Sequence, residues 1–220
     1  MCGRFALTWS PEAVAGWLHA VQVRASFEPR HNICPTMVVP VAVNYLGERH
    51  LVPMRWGFIP KWYKTPIDGS LLINARAETI DSKPAFRNAF QKRRCLIPAN
   101  GFYEWHREKG KGREPWYIYA REVELMAFAG IWQVWNGHNG ERLVTCAIVT
   151  IAAGDDLAEV HQREPVTVRN KDFDLWLGGE ARGAAALMQS ADPTYLVRHR
   201  VGSEVNSGYF DRLELCHPVN

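Results

Sequence analysis

A chain of 220 residues with 47% apolar side chains and nine tryptophans can bury a real core, which excludes a disordered polymer. Its formal net charge of +3 by itself points to no polyanion partner. It has no apolar run near the ~20 residues that span a bilayer and no basic-then-apolar leader, so the reading is a cytoplasmic protein of one domain, 1–220, without a membrane segment.

Five cysteines (Cys2, Cys34, Cys95, Cys146, Cys216) are odd in number and form no C-x-x-C. That argues against a disulfide framework and a zinc knuckle. Cys95 and Cys146 lie in strand-like apolar runs and read as core; Cys2 does not share that context.

In chain order, Ser10-Pro11-Glu12 supplies an N-cap, a first-turn proline and an acid at the positive end of the dipole. This predicts a helix through Trp17 to Val21. PRHNICP (29–35) reads as loop, TMVVPVAVNY as a strand, Gly47-Glu48 as a turn and HLVPMRWG as the returning strand. LLINARAETI reads as a strand exit. KPAFRNAFQKRR, with Phe86 and Phe90 four apart, predicts a short amphipathic helix. CLIPANGFYEW reads as strand, turn, strand, and EKGKGR as an exposed hairpin tip. PWYIYA, LMAFAGIWQVW and RLVTCAIVTIAA predict three more strands, and GDDLAEVH a turn or two of helix. DFDLWLGG reads as a helix closed by glycine, followed by a Gly/Ala-rich helix. The tail from TYLVRHRV to Asn220 reads as late strands. The sum is an α+β fold with a mainly antiparallel, barrel-like β core flanked by helices.

Four polar spots fall at strand ends or turns: Cys2-Gly3-Arg4, Asn74 to Glu78, Gly101 to Trp105 and His161 to Pro165. Glu104 lies between Tyr103 and Trp105, and alternation puts it on the opposite face. Two readings stay open: a solvent-facing strand residue, or a carboxylate in an aromatic pocket whose desolvation suits it to proton transfer. His161 is the default acid–base candidate among eight histidines, against a structural role. Asn74 either orients a carbonyl or hydroxyl or caps a turn. Of 26 basic residues 19 are Arg, which fits either phosphate gripping or a GC-rich genome. Lys83, Arg87, Lys92, Arg93 and Arg94 form a run without acids, either a solvated helix face or a phosphate-contact surface.

Loss of Met1 would leave Cys2 with an α-amine and a thiol on one residue. An α-amine has a pKa near ~7.7–8.0, so a useful fraction is unprotonated at neutral pH. It attacks aldehydes to form an imine, and the thiol can then close a thiazolidine ring. The aldehyde native to nucleic acid is the open-chain sugar of an abasic site.

MCGRF, HNICPT, MRWGFIPKW, INARAET, PAFRNAFQKRRCLIPANGFYEW and TIAAGDDLAEVHQREPV, in that order over most of the chain, resemble the SRAP (SOS response-associated peptidase) family. The resemblance implies an abasic-site processing domain that binds single-stranded DNA in a basic channel. It implies a thiazolidine crosslink through Cys2, by way of an imine that would also support lyase chemistry. It assigns Asn74 to holding the sugar or the Cys2 amine. Glu104 would transfer protons in ring opening and imine formation, and His161 at the same sugar, including in release. Arg4, Arg76 and Arg163 would grip phosphates, with Arg87 of the basic run beside them. Trp56 and Trp105 would line the pocket or wedge against bases. No cofactor or metal is implied, and a monomer is expected.

Two positions depart from the family pattern. Glu164 stands where an apolar or basic residue is usual, and would weaken DNA binding or tether Arg163. Cys34 replaces a frequent Ala and adds a thiol near the site. Two other readings compete: a thiol peptidase or amidase with Cys2 as nucleophile and His161 as base, and a non-covalent DNA-binding module. The first needs the thiol but not the amine; the second needs the basic residues but not Cys2.

Overall fold

The computed structural model describes residues 2–22, 27–107 and 112–219. In chain order the strands are β1 (Arg4–Leu7), β2 (Val21–Gln22), β3 (Arg30–Ile33), β4 (Val38–Tyr45), β5 (Glu48–Trp56), β6 (Asn74–Arg76) and β7 (Arg94–Ala99). They continue as β8 (Gly101–Arg107), β9 (Arg113–Ala120), β10 (Met126–Asn136), β11 (Arg142–Ala152), β12 (Arg163–Pro165), β13 (Thr167–Val168) and β14 (Leu196–Arg200). Among the described residues five short α-helices interrupt them: α1 (Pro11–Trp17), α2 (Arg87–Lys92), α3 (Asp155–Ala158), α4 (Phe173–Leu177) and α5 (Ala181–Ala186).

β5, β4, β7, β10 and β11 pair in that order, and β11 closes the ring by running parallel to β5. The result is a closed five-strand mixed barrel, with β2, β6, β12 and β13 added at its rims. A second sheet, ordered β14-β9-β8-β1-β3, is antiparallel throughout. It lies against the barrel through edge-on aromatic contacts: Phe5 with Trp56 (ring centroids 5.1 Å) and with Phe128 (6.0 Å), and Phe102 with Phe128 (5.9 Å). One apolar cluster runs through both sheets. The α+β, mainly antiparallel expectation holds.

The strand, turn, strand expected at CLIPANGFYEW forms as β7, Asn100 and β8, but the two strands do not pair with each other. β7 belongs to the barrel and β8 to the second sheet, and the chain changes sheet at Asn100. The Asn100 side chain accepts from Thr8 N (2.7 Å) and donates to Glu124 O (2.8 Å), which fixes the corner. A Cβ at Gly101 would sit 2.4 Å from the Tyr117 ring, so the corner needs glycine.

Ser10 caps α1 as expected, its hydroxyl accepting from Ala13 N at 3.3 Å, but the helix stops at Trp17. His19 then takes a positive φ of 50°, and Val21 starts β2. PRHNICP is not all loop: Arg30–Ile33 pairs with β1. Among its described residues the tail forms one strand, β14, and continues as two 3-10 turns, Ser203–Asn206 and Leu213–Cys216. Most of the expected EKGKGR tip, and Asn220, lie outside the described residues.

Candidate active site

β1 carries the N-terminal residues along the edge of β8. Arg4 pairs with Tyr103 and Phe5 with Phe102. Continuing that register brings Gly3 level with Glu104 and Cys2 level with Trp105. β6 reaches the same place from the barrel, because it runs parallel to β11 with Asn74 opposite Ile148. Asn74 Nδ2 donates to Cys2 O at 2.9 Å, while its buried Oδ1 has no hydrogen-bond partner among the described residues.

Cys2 is as buried as Cys95 and Cys146, so burial does not set it apart. Its company does. Burial pushes the Cys2 thiol far up, and the Glu104 carboxylate pushes it further. The thiol points at Arg4 O, 3.9 Å away.

Glu104 is only 4% exposed, although alternation sets it opposite the buried Tyr103. β8 is covered on both faces here, because the segment from α3 into β12 lies over the Glu104 side. That segment brings His161 Nδ1 to 3.9 Å from Glu104 Oε1. The imidazole is held by its neighbour, since Arg163 N donates to His161 Nδ1 at 2.9 Å. Burial raises the Glu104 pKa above the usual carboxylate range, with His161 among the groups opposing it. Glu104, Trp105 and His161 line a cleft of about 640 Å³, together with Arg107 and Arg113 from facing ends of the β8–β9 pair.

The candidate DNA-contacting residues separate sharply. Arg76 is exposed, has no partner among the described residues, and shares the face of Asn74 two residues earlier. Arg87 is also exposed. Arg4 is committed to Asn32 Oδ1 (2.9 Å), Val205 O (2.5 Å) and Asn206 O (3.1 Å). Arg163 is committed to both Glu78 oxygens (2.5 and 3.0 Å) and to Thr150 O (2.6 Å). Its guanidinium holds the Glu78 carboxyl below the usual range.

The basic run divides too. Arg94 is buried and donates to Phe90 O, Gln91 O, Trp176 O and Gly178 O, tying the end of α2 to the end of α4. Arg93 donates to Trp132 O and Asn88 Oδ1. Lys83, Arg87 and Lys92 remain on the surface.

Trp56, expected at the pocket, is 0% exposed and belongs to the core, with its indole N–H on Ile73 O at 3.0 Å. Trp105 does stand on the cleft wall. Glu164 does not tether Arg163: it turns inward, 1% exposed, and accepts from Gly154 N (3.1 Å) and Ala191 N (2.6 Å). The tether is Glu78. Cys34 is half-buried, its thiol on Asn32 O at 3.5 Å, within electrostatic reach of Arg4.

Arg107 and Arg113 escaped the sequence reading. Their signal was their placement at the two ends of the stretch REKGKGR (107–113), which sets them opposite one another in a hairpin. Among the described residues, no group of three or more His, Cys, Asp or Glu is arranged to hold a metal, and no helix is long and apolar enough to cross a membrane.

The fold is thus a closed mixed barrel with a second antiparallel sheet, and it brings a buried Cys2 to Asn74 and a buried Glu104 near His161. The family model described as SOS response associated peptidase (SRAP) matches residues 1–208, and the chain belongs to that family. Among its relatives is the abasic site processing protein YoaM of Bacillus subtilis, 33% identical over 225 residues, covering 100% of this chain and 99% of the relative. The abasic site processing protein HMCES of Mus musculus is 28% identical over 231 residues, covering 87% of this chain and 65% of the relative. In fold, the chain is similar to a crystallographically solved protein of Bacteroides thetaiotaomicron, with a TM-score of 0.90, 20% identity and complete coverage of both chains.

Proposed function

We propose that this chain processes abasic sites in single-stranded DNA inside the cell by covalent capture through Cys2. The observation that carries the reading is the meeting of Cys2 with Asn74 at 2.9 Å, beside a Glu104–His161 approach of 3.9 Å at the cleft.

The chemistry balances as follows. Hydrolysis of the Met1–Cys2 bond consumes one water, releases methionine and frees the Cys2 α-amine. The amine adds to the C1′ aldehyde of the opened sugar, and the carbinolamine loses one water to give an imine. The thiol then adds across C=N, sulfur to carbon and proton to nitrogen, closing the thiazolidine. Because amine and thiol share one residue, ring closure is intramolecular.

Glu104 supplies the proton that opens the sugar and helps water leave. Its raised pKa keeps a protonated fraction available closer to neutral pH than an exposed carboxyl would. His161 exchanges protons with the same sugar. Asn74 holds the Cys2 carbonyl and offers its unpaired Oδ1 to an amine or hydroxyl proton. Arg76, Arg107 and Arg113 face backbone phosphates.

The raised thiol pKa argues against a thiol hydrolase. Catalytic thiolates sit in electropositive settings that lower the pKa, whereas burial and Glu104 act on Cys2 in the opposite sense.

Intact-mass measurement, before and after mixing with an abasic single-stranded oligonucleotide, tests the proposal. The expected result is protein lacking Met1, then an adduct one water lighter than the sum of the partners. Cys2→Ala and Cys2→Ser keep the α-amine but lack the thiol, so each loses the stable adduct and leaves one seen only after borohydride reduction of the imine. Protein with a free Cys2 amine that forms no adduct sinks the proposal. Salt-sensitive binding indifferent to Cys2 then leaves the non-covalent module.

A further inference from the structure

The segment after β14 crosses the second sheet and fastens its two site-bearing strands together. Val205 and Leu215 are buried in a small cluster with Ala6, Tyr103, Tyr117 and Val201, which seats the segment. Its main chain then meets the site from outside. Arg4 donates to Val205 O and Asn206 O, and also to Asn32 Oδ1. Asn32, 1% exposed, passes the grip on by donating to Ser207 O (3.0 Å) and Phe210 O (2.9 Å). The Asn206 side chain meanwhile accepts the Trp105 indole N–H at 2.6 Å. One residue therefore holds β1 two positions from Cys2 and β8 one position past Glu104.

We propose that Asn206 is a positioning residue for the capture chemistry, its main-chain carbonyl locating Arg4 and its side-chain oxygen locating Trp105 on the cleft wall. The proposal rests on the function proposed above. The physical reason is local. Arg4 fixes the start of β1, and so where the Cys2 amine can stand. The Trp105 indole forms the wall next to Glu104, and a half-buried N–H without its acceptor turns toward water. A reaction between groups on two separate strands is sensitive to their relative placement.

The test uses the full chain with Asn206→Ala and Asn206→Asp. Aspartate keeps a side-chain oxygen for the indole. Three quantities are measured: the Trp105 indole N–H signal by NMR, assigned with Trp105→Phe; the single-turnover rate of adduct formation with an abasic single-stranded oligonucleotide; and Tm. Asn206→Ala is expected to move the indole signal and slow adduct formation about two- to tenfold, the worth of one hydrogen bond. Asn206→Asp restores both. An indole signal that moves while the rate holds, or a rate that Asn206→Asp does not restore, overturns the positioning role. An indole signal unmoved by Asn206→Ala overturns the clamp itself. A wild type that never forms an adduct instead overturns the proposed function, and the clamp is still judged by the indole signal.

Discussion

Replacing Asn74 by leucine separates two effects that one amide produces. Nδ2 donates to Cys2 O at 2.9 Å, which stabilises; Oδ1 is buried and unpaired, which costs. A typical hydrogen bond contributes ~0.5–1.5 kcal/mol net, and an unsatisfied buried polar atom costs ~1–3 kcal/mol. Leucine has nearly the same shape and removes both, although it leaves the Cys2 carbonyl without this donor. The two terms oppose one another at similar size, so stability should change by no more than about 1 kcal/mol. For a chain of this length that is a Tm shift within about 2–4 °C. Adduct formation has no such compensation. It loses the contact that locates Cys2 and the acceptor offered to the incoming sugar, worth together ~2–3 kcal/mol, or roughly a 30- to 150-fold slower reaction. Thermal melts and single-turnover crosslinking in the same buffer measure the two quantities. A Tm that falls by more than about 6 °C at an unchanged rate would refute the reasoning, since Asn74 would then be a structural residue with a satisfied Oδ1.

Other substitutions probe the rest of the site. Trp56→Phe should lower stability by about 2–3 kcal/mol through lost ring packing and the lost bond to Ile73 O, and leave affinity for single-stranded DNA intact; a tenfold loss of affinity at unchanged Tm would return Trp56 to the DNA surface. Burial raises the folded-state pKa of Glu104, so its favourable contribution is complete below the ordinary carboxyl range and is lost as pH rises through the raised value. The Tm of Glu104→Gln relative to wild type should therefore climb between pH 4 and pH 8 while crosslinking slows, and a gap that narrows with pH contradicts the buried-carboxylate assignment. Arg76→Ala should reduce the slope of log affinity against log salt by about 0.7 with stability within about 0.5 kcal/mol. An unchanged slope means that Arg76 touches no phosphate.

Much of this architecture is visible in local pattern. β4, β5, β10 and β11 are rich in branched and aromatic side chains and read as strands; Ser10 and Pro11 announce α1. β3 does not, because RHNI has no apolar alternation. It is a strand because β1 pairs with it and because Asp211 accepts from His31 N at 2.6 Å from the far end of the chain. Arg76 and Arg94 look alike in sequence, yet one is exposed and the other closes two helix ends. Glu104 reads by pattern first as a solvent-facing strand residue, until the α3–β12 segment is laid over it.

The sequence by itself determined which strands could form, where α1 begins, and that Cys2 would carry an amine and a thiol together once Met1 is lost, because these are properties of neighbouring residues and of functional groups. Tertiary structure alone decided which polar groups keep their water. Asn74 meets Cys2 only because β6 runs beside β11, and Arg4 and Trp105 meet Asn206 only because the tail crosses back over the second sheet. Contacts between residues 72 to 201 positions apart leave no periodic trace in a sequence, and here they separate the site from the scaffold.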